Sequence, residues 1–152
     1  NPVGQNVPPS GGWALTSRGA RAGPIVAAVT ETWASPAPVT GISATVGATI
    51  TARRWAFATG RLDTTDPAQV VALNPTGRRV RVTLLTAGSD AAALHSVSTV
   101  TVKAHQRAVF PLDATIGPDQ VLVLRATGPI VGGRLVLGPS VITGTGVPAV
   151  AG

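Results

Sequence analysis

The chain has no cysteine, no methionine and no tyrosine, and its 152 residues include only six acids and two histidines. Without cysteine there is neither a disulfide nor a thiolate metal site, and the redox compartment stays open. The shortage of acids and histidines removes most of what an enzyme uses, because catalysis needs acids, bases or nucleophiles held together with shifted pKa values. Glu31 is the only glutamate and has no identifiable carboxylate partner for glycosidase chemistry. His95 and His105 belong to no His-x-His or Glu-x-x-His spacing, so they do not make a zinc site. Ser96, Ser98 and Asp90 lie near His95 in sequence, which is not a triad. Thr143-Gly144-Thr145-Gly146 lacks the lysine and the helix of a phosphate loop. The expectation is a non-enzyme without cofactor or metal.

Long apolar runs and helical stripes are also missing. Residues 32–52 and 135–152 are free of charge, but Gly, Pro, Ser and Thr interrupt both, so this segment is not expected to insert into a membrane. No window repeats every 3.6 residues. The best helical candidates, Asp66–Leu73 and Asp90–His95, are too short to carry a face. The absence of an initiating methionine and of a charged-then-apolar leader reads as a processed product or an excised fragment.

What is present is Val, Thr, Ala, Gly and Pro in short alternating runs, with 18 Gly and 13 Pro supplying turns. Residues 1–12 read as a tail or linker, and 13–152 as one β domain. Strands are expected at 13–17, 24–33, 39–46, 54–58, 69–74, 79–86, 97–103, 106–111, 121–126 and 130–137. Val80, Val82 and Leu84 share one face of their strand, with Arg79, Arg81 and Thr83 on the other. Residues 121–126 are apolar on both faces and read as a central, doubly covered strand. Asn74-Pro75-Thr76-Gly77 is a turn, and Ala104-His105-Gln106 a tight connection. The fold class is all-β, an antiparallel two-sheet immunoglobulin-like β-sandwich with Greek-key crossings. Ala22-Gly23-Pro24-Ile25-Val26 is echoed by Thr127-Gly128-Pro129-Ile130-Val131, each a strand, a Gly-Pro break and a second strand. That echo fits either a tandem array or a pseudo-symmetric single sandwich.

Two clusters invite a binding role. In Arg53-Arg54-Trp55-Ala56-Phe57, Trp55 and Phe57 share a face. They read as the structural core of the sandwich, against the alternative of an Arg–aromatic platform for sugars or anions. Arg78, Arg79 and Arg81 form the densest positive cluster and the first choice for a ligand-binding hairpin, against the alternative of an edge kept soluble by charge. The net charge of +6 is spread over a chain only 12% charged, thinner than in nucleic-acid-binding domains. Expected partners are therefore envelope proteins or anionic cell-wall polymers, and not nucleic acid. Trp13 or Trp33 could add a sugar platform.

The order Gly41-Ile42-Ser43-Ala44, Trp55-Ala56-Phe57-Ala58-Thr59-Gly60, Val71-Ala72-Leu73-Asn74-Pro75-Thr76-Gly77 and Val102-Lys103-Ala104-His105-Gln106-Arg107 resembles a family of actinobacterial envelope proteins of unknown function. Eleven arginines to one lysine, Lys103, agree with a GC-rich genome. The resemblance, covering roughly Trp13 to Val136, implies an extracytoplasmic protein, secreted or anchored, with immunoglobulin-like domains facing the cell wall. Family members often carry cysteines beside the Trp strand, and none stands here, so a disulfide role does not transfer. The family has no known catalytic residues, and none carry over.

Overall fold

The computed structural model describes residues 28–33, 41–46, 48–58, 68–87, 93–112, 116, 120–136, 142–145 and 147–148. The expected tail 1–12, the strand 13–17 and the first arm of the internal echo lie outside them. Among the described residues there are ten strands and no helix. They are β1 (Ala28–Trp33), β2 (Gly41–Val46), β3 (Ala52–Ala58), β4 (Ala68–Leu73), β5 (Val80–Ala87), β6 (Leu94–Val102), β7 (Arg107–Leu112), β8 (Val121–Val136), β9 (Ile142–Thr145) and β10 (Val147–Pro148). In place of the short helical candidate Asp66–Leu73, the strand expected at 69–74 is present as Ala68–Leu73. Its Ala68, Val70 and Ala72 are buried and alternate with half-buried Gln69, Val71 and Leu73. Period two outweighs the residues' helix propensity once neighbours exist on both sides.

β1 and β2 pair antiparallel in a sheet of their own. The other eight strands form one antiparallel sheet that curls strongly, as half a barrel does. Its organiser is β8, which runs 16 residues. The first part, Val121–Ala126, lies between β3 and β5. The second part, Val131–Val136, lies between β4 and β9. Residues 121–126 and 130–137 are thus not two strands, and Gly128-Pro129 ends neither. The pairing with β3 jumps there, from Arg54 opposite Arg125 to Ala52 opposite Ile130. The extra residues of β8 make a corner, the usual device by which a strand passes from one ladder to another. A Cβ on Gly128 would stand 3.1 Å from a methyl of Val80, so the corner rests closely on β5.

The concave face holds the core: Trp55 and Phe57 (β3), Val70 and Ala72 (β4), Val80, Val82 and Leu84 (β5), Val102 (β6), Phe110 (β7) and Leu122, Leu124 and Ile130 (β8), with Ile116. Trp55 is 1% exposed, and its Nε1–H donates to the Ile130 carbonyl oxygen at 3.0 Å, so burial leaves no unpaired indole donor. The expected double cover of 121–126 holds only in part. Leu122 and Leu124 are buried, Val123 is half-buried and Val121 is 43% exposed. β8 is central by hydrogen bonding but packs its core on one face.

Two connections act as fasteners. The fully buried Asn74 donates from Nδ2 to the carbonyl oxygens of Arg78, Val102 and Lys103 at 2.7, 3.2 and 3.0 Å. Its Oδ1 accepts from Thr76 N–H at 3.0 Å and from Thr76 Oγ1–H at 2.7 Å. One side chain therefore holds the turn before β5 and the end of β6 together. After β6 the chain reverses through Ala104-His105, with Gln106 N–H donating to the Lys103 carbonyl at 3.3 Å. His105 takes φ 56°, the left-handed region that L-residues adopt at a cost. Pro111 sits in β7, which among the described strands pairs with β4 alone, an edge position that tolerates a missing N–H.

Candidate functional site

The convex face of β3, β8, β5 and β6 follows from strand alternation. β3, β8 and β5 turn their apolar sets to the core, and β6 its Val102, so the residues between them face out. The registers Arg54↔Arg125, Arg125↔Thr83 and Thr83↔Thr99 line up one row across four strands. The next row pairs Arg81 with Thr101. Arg81, Thr83, Thr99, Arg125, Ala126 and Thr127 line an open concavity of about 380 Å³. Its floor is set by hydroxyls: Thr83 Oγ1 and Thr99 Oγ1 share a hydrogen bond at 3.0 Å, and Arg81 N–H donates to Thr127 Oγ1 at 3.0 Å. The Thr127 hydroxyl continues the β5–β8 ladder by one step after backbone pairing stops at Val82↔Ala126.

The electrostatics are one-sided. Arg54 and Arg125 stand directly opposite each other, a like-charge placement that costs about 0.2–1 kcal/mol in a sheet. The bulge beside Arg53 puts Arg53 and Arg54 off the core while Ala52 packs against it. Glu31 on β1 is the only acid among the described residues. Arg134 shares the core-facing parity of Ile130 and Gly132 farther along β8, and burial lowers its pKa by desolvating the guanidinium. A base with so high an ordinary pKa remains charged at neutral pH.

Of the three arginines expected to form a hairpin site, Arg81 alone lines the concavity. Arg78 and Arg79 are exposed in the turn before β5. Trp55 and Phe57 are core side chains, and the Arg–aromatic platform is not formed there. Trp13 lies outside the described residues, and Trp33 is described only as the end of β1. His95 is the second residue of β6, and His105 lies in the turn beyond its other end. Arg125 was the residue missed in sequence, although Leu122 and Leu124 mark by parity which face it occupies. Asn74 was legible as a turn residue but not as a buried fastener, because its partners lie 28 and 29 residues away.

Comparison with protein-family profiles, with characterised proteins and with solved structures returns no match.

Proposed function

We propose that this chain is a non-catalytic, extracytoplasmic module of a bacterial cell envelope that holds an anionic partner against its Arg–Thr face, within a sheet completed as an immunoglobulin-like sandwich. The observation that carries the reading is Arg125 set between Arg54 and Thr83, with Arg81 lining the open concavity beside it. Guanidinium groups present paired N–H donors that match phosphate and carboxylate oxygens, and threonine hydroxyls add donors beside them. An anion bound there also relieves the Arg54–Arg125 repulsion. Arginine, threonine and alanine supply no proton acceptor near neutral pH, so the face is suited to holding and not to converting. The envelope setting is supported by the motifs from Gly41 to Arg107 and by the arginine bias.

The test is retention on immobilised polyphosphate across a salt gradient. The double variant Arg81→Ser/Arg125→Ser should elute at lower salt than the wild type, and Arg78→Ser/Arg79→Ser should shift much less. Charge-made contacts weaken steeply as the Debye length shrinks from about 10 Å at 0.1 M salt. Equal elution of wild type and the Arg81/Arg125 variant would remove the binding role and leave a purely structural module.

A further inference from the structure

β6 has one neighbour among the described strands. Among them it pairs with β5 and its other edge is open. Every residue from Leu94 to Thr101 is exposed, including Leu94, Val97 and Val100. The strand contains no proline, lysine, arginine, aspartate or glutamate over its nine residues. Proteins ordinarily protect such an edge with charge, proline or a covering segment. Here a bulge between Leu84 and Leu85 is the one irregularity.

The direction of the open hydrogen-bonding groups follows from the ladder. Arg81 N–H donates towards β8, to Thr127. Arg81↔Thr101 is therefore a non-hydrogen-bonded pair of the antiparallel ladder, and so is Thr83↔Thr99 two residues on. The short contact between the Thr83 and Thr99 hydroxyls agrees, because side chains approach most closely in such pairs. The N–H and C=O groups of Thr99 and Thr101 consequently point away from β5, at the open edge.

We infer that β6 accepts an added antiparallel strand from an acidic, extended segment of another protein. Backbone pairing supplies the attachment, and alternate side chains of the guest supply the choice. A guest residue opposite Thr101 on the convex face is one strand spacing from β6 and two, about 9.6 Å, from β5. Arg81 stands on the same face directly across Thr101, and Lys103 is exposed just beyond the strand end. Carboxylates at alternate guest positions therefore meet cations, while the other guest side chains cover Val100. A second copy of the chain is the poorer occupant. It brings a net charge of +6 against +6 and offers Arg81 only the uncharged residues of its own β6. A single strip about 30 Å long also lies at the low end of interface size, where charge complementarity decides the partner.

The experiment titrates the whole chain with a capped nine-residue peptide alternating valine and glutamate, followed by amide chemical shifts at low salt. The valine–lysine counterpart is the control. Shifts should gather on β6 and β5 with the glutamate peptide and stay absent with the lysine peptide. Thr101→Pro removes an edge-facing N–H without breaking a β5 bond, and should weaken binding by about tenfold or more. Thr101→Val should bind as the wild type does, and Arg81→Ser should bind several-fold more weakly. An unchanged signal from the buried Trp55 reports that each variant is folded. Equal binding of both peptides, undiminished binding by folded Thr101→Pro, or a concentration-dependent dimer in place of peptide binding would each overturn the inference. Arg125→Ser separates it from the polyanion role, since that variant should lose polymer retention and keep the peptide.

Discussion

Gly132 stands on the core face of β8, opposite Ala72 of β4. A Cβ at this position would lie 2.8 Å from Trp55 Cγ, 2.9 Å from Phe57 Cζ and 3.0 Å from Trp55 Cβ. Ordinary carbon contacts begin near 3.5 Å, so both rings must retreat by roughly half an ångström or more. Phe57 meets the methyl with its ring tip and can tilt. Trp55 meets it with Cβ and Cγ, the root of the side chain, which moves only with the β3 backbone. Its ring is also tied at Nε1 to the Ile130 carbonyl on the same strand as Gly132. Overpacking of this kind costs about 1–3 kcal/mol. Loss of the buried hydrogen bond adds about 1–3 kcal/mol. Replacing glycine by alanine in a strand returns roughly 0.5–1 kcal/mol of backbone entropy. Gly132→Ala should therefore lower stability by about 2–4 kcal/mol, which urea unfolding followed by tryptophan fluorescence measures directly. Adding Phe57→Leu should recover part of the loss, a coupling of about 0.5–3 kcal/mol in a double-mutant cycle. A Gly132→Ala protein as stable as the wild type, or more so, would refute the packing of β8 against Trp55 and Phe57.

Trp55→Ala should cost about 3–5 kcal/mol through lost packing and a residual cavity. Trp55→Phe in the same urea series should cost less and isolate the Nε1 bond. Asn74→Ala removes two N–H donors shared among three carbonyls and should destabilise by about 2–4 kcal/mol, with the loss of amide exchange protection greatest where the 74–78 turn meets the end of β6. His105→Val places a β-branched residue at φ 56° and should lower thermal stability by about 1–2 kcal/mol, whereas His105→Gly should be neutral or mildly stabilising.

Much of the sheet was readable because alternation is a local signal. Val80, Val82 and Leu84 announced their buried face, Arg81 its exposed one, and Asn74-Pro75-Thr76-Gly77 its turn. Trp55 was readable as core because so few large side chains were available to fill one. What failed needed distant neighbours. Gly128-Pro129 has the same local chemistry whether it ends a strand or turns a corner, and the outcome depends on β3, β4 and β5 all finding β8. The outer arginine row had the same origin. Arg54, Arg81 and Arg125 are far apart along the chain, and only the registers across β3, β8 and β5 bring them onto one face. Arg78 and Arg79 looked equal to Arg81 in sequence, yet β5 begins after them.

The place of β8 in the chain also governs when the domain can take shape. β3, β4 and β5 each use β8 as a neighbour, yet β8 is made after all three, with 57 residues between Leu73 and its ladder partner Val131 and 62 between Ala58 and Val121. Synthesis from the amino end releases β3 through β7 before the strand that joins them. Until Val121–Val136 emerges, hairpins such as β5–β6 can form, but the concave faces have nothing to close upon. Assembly is therefore a late event that gathers both ladders at once.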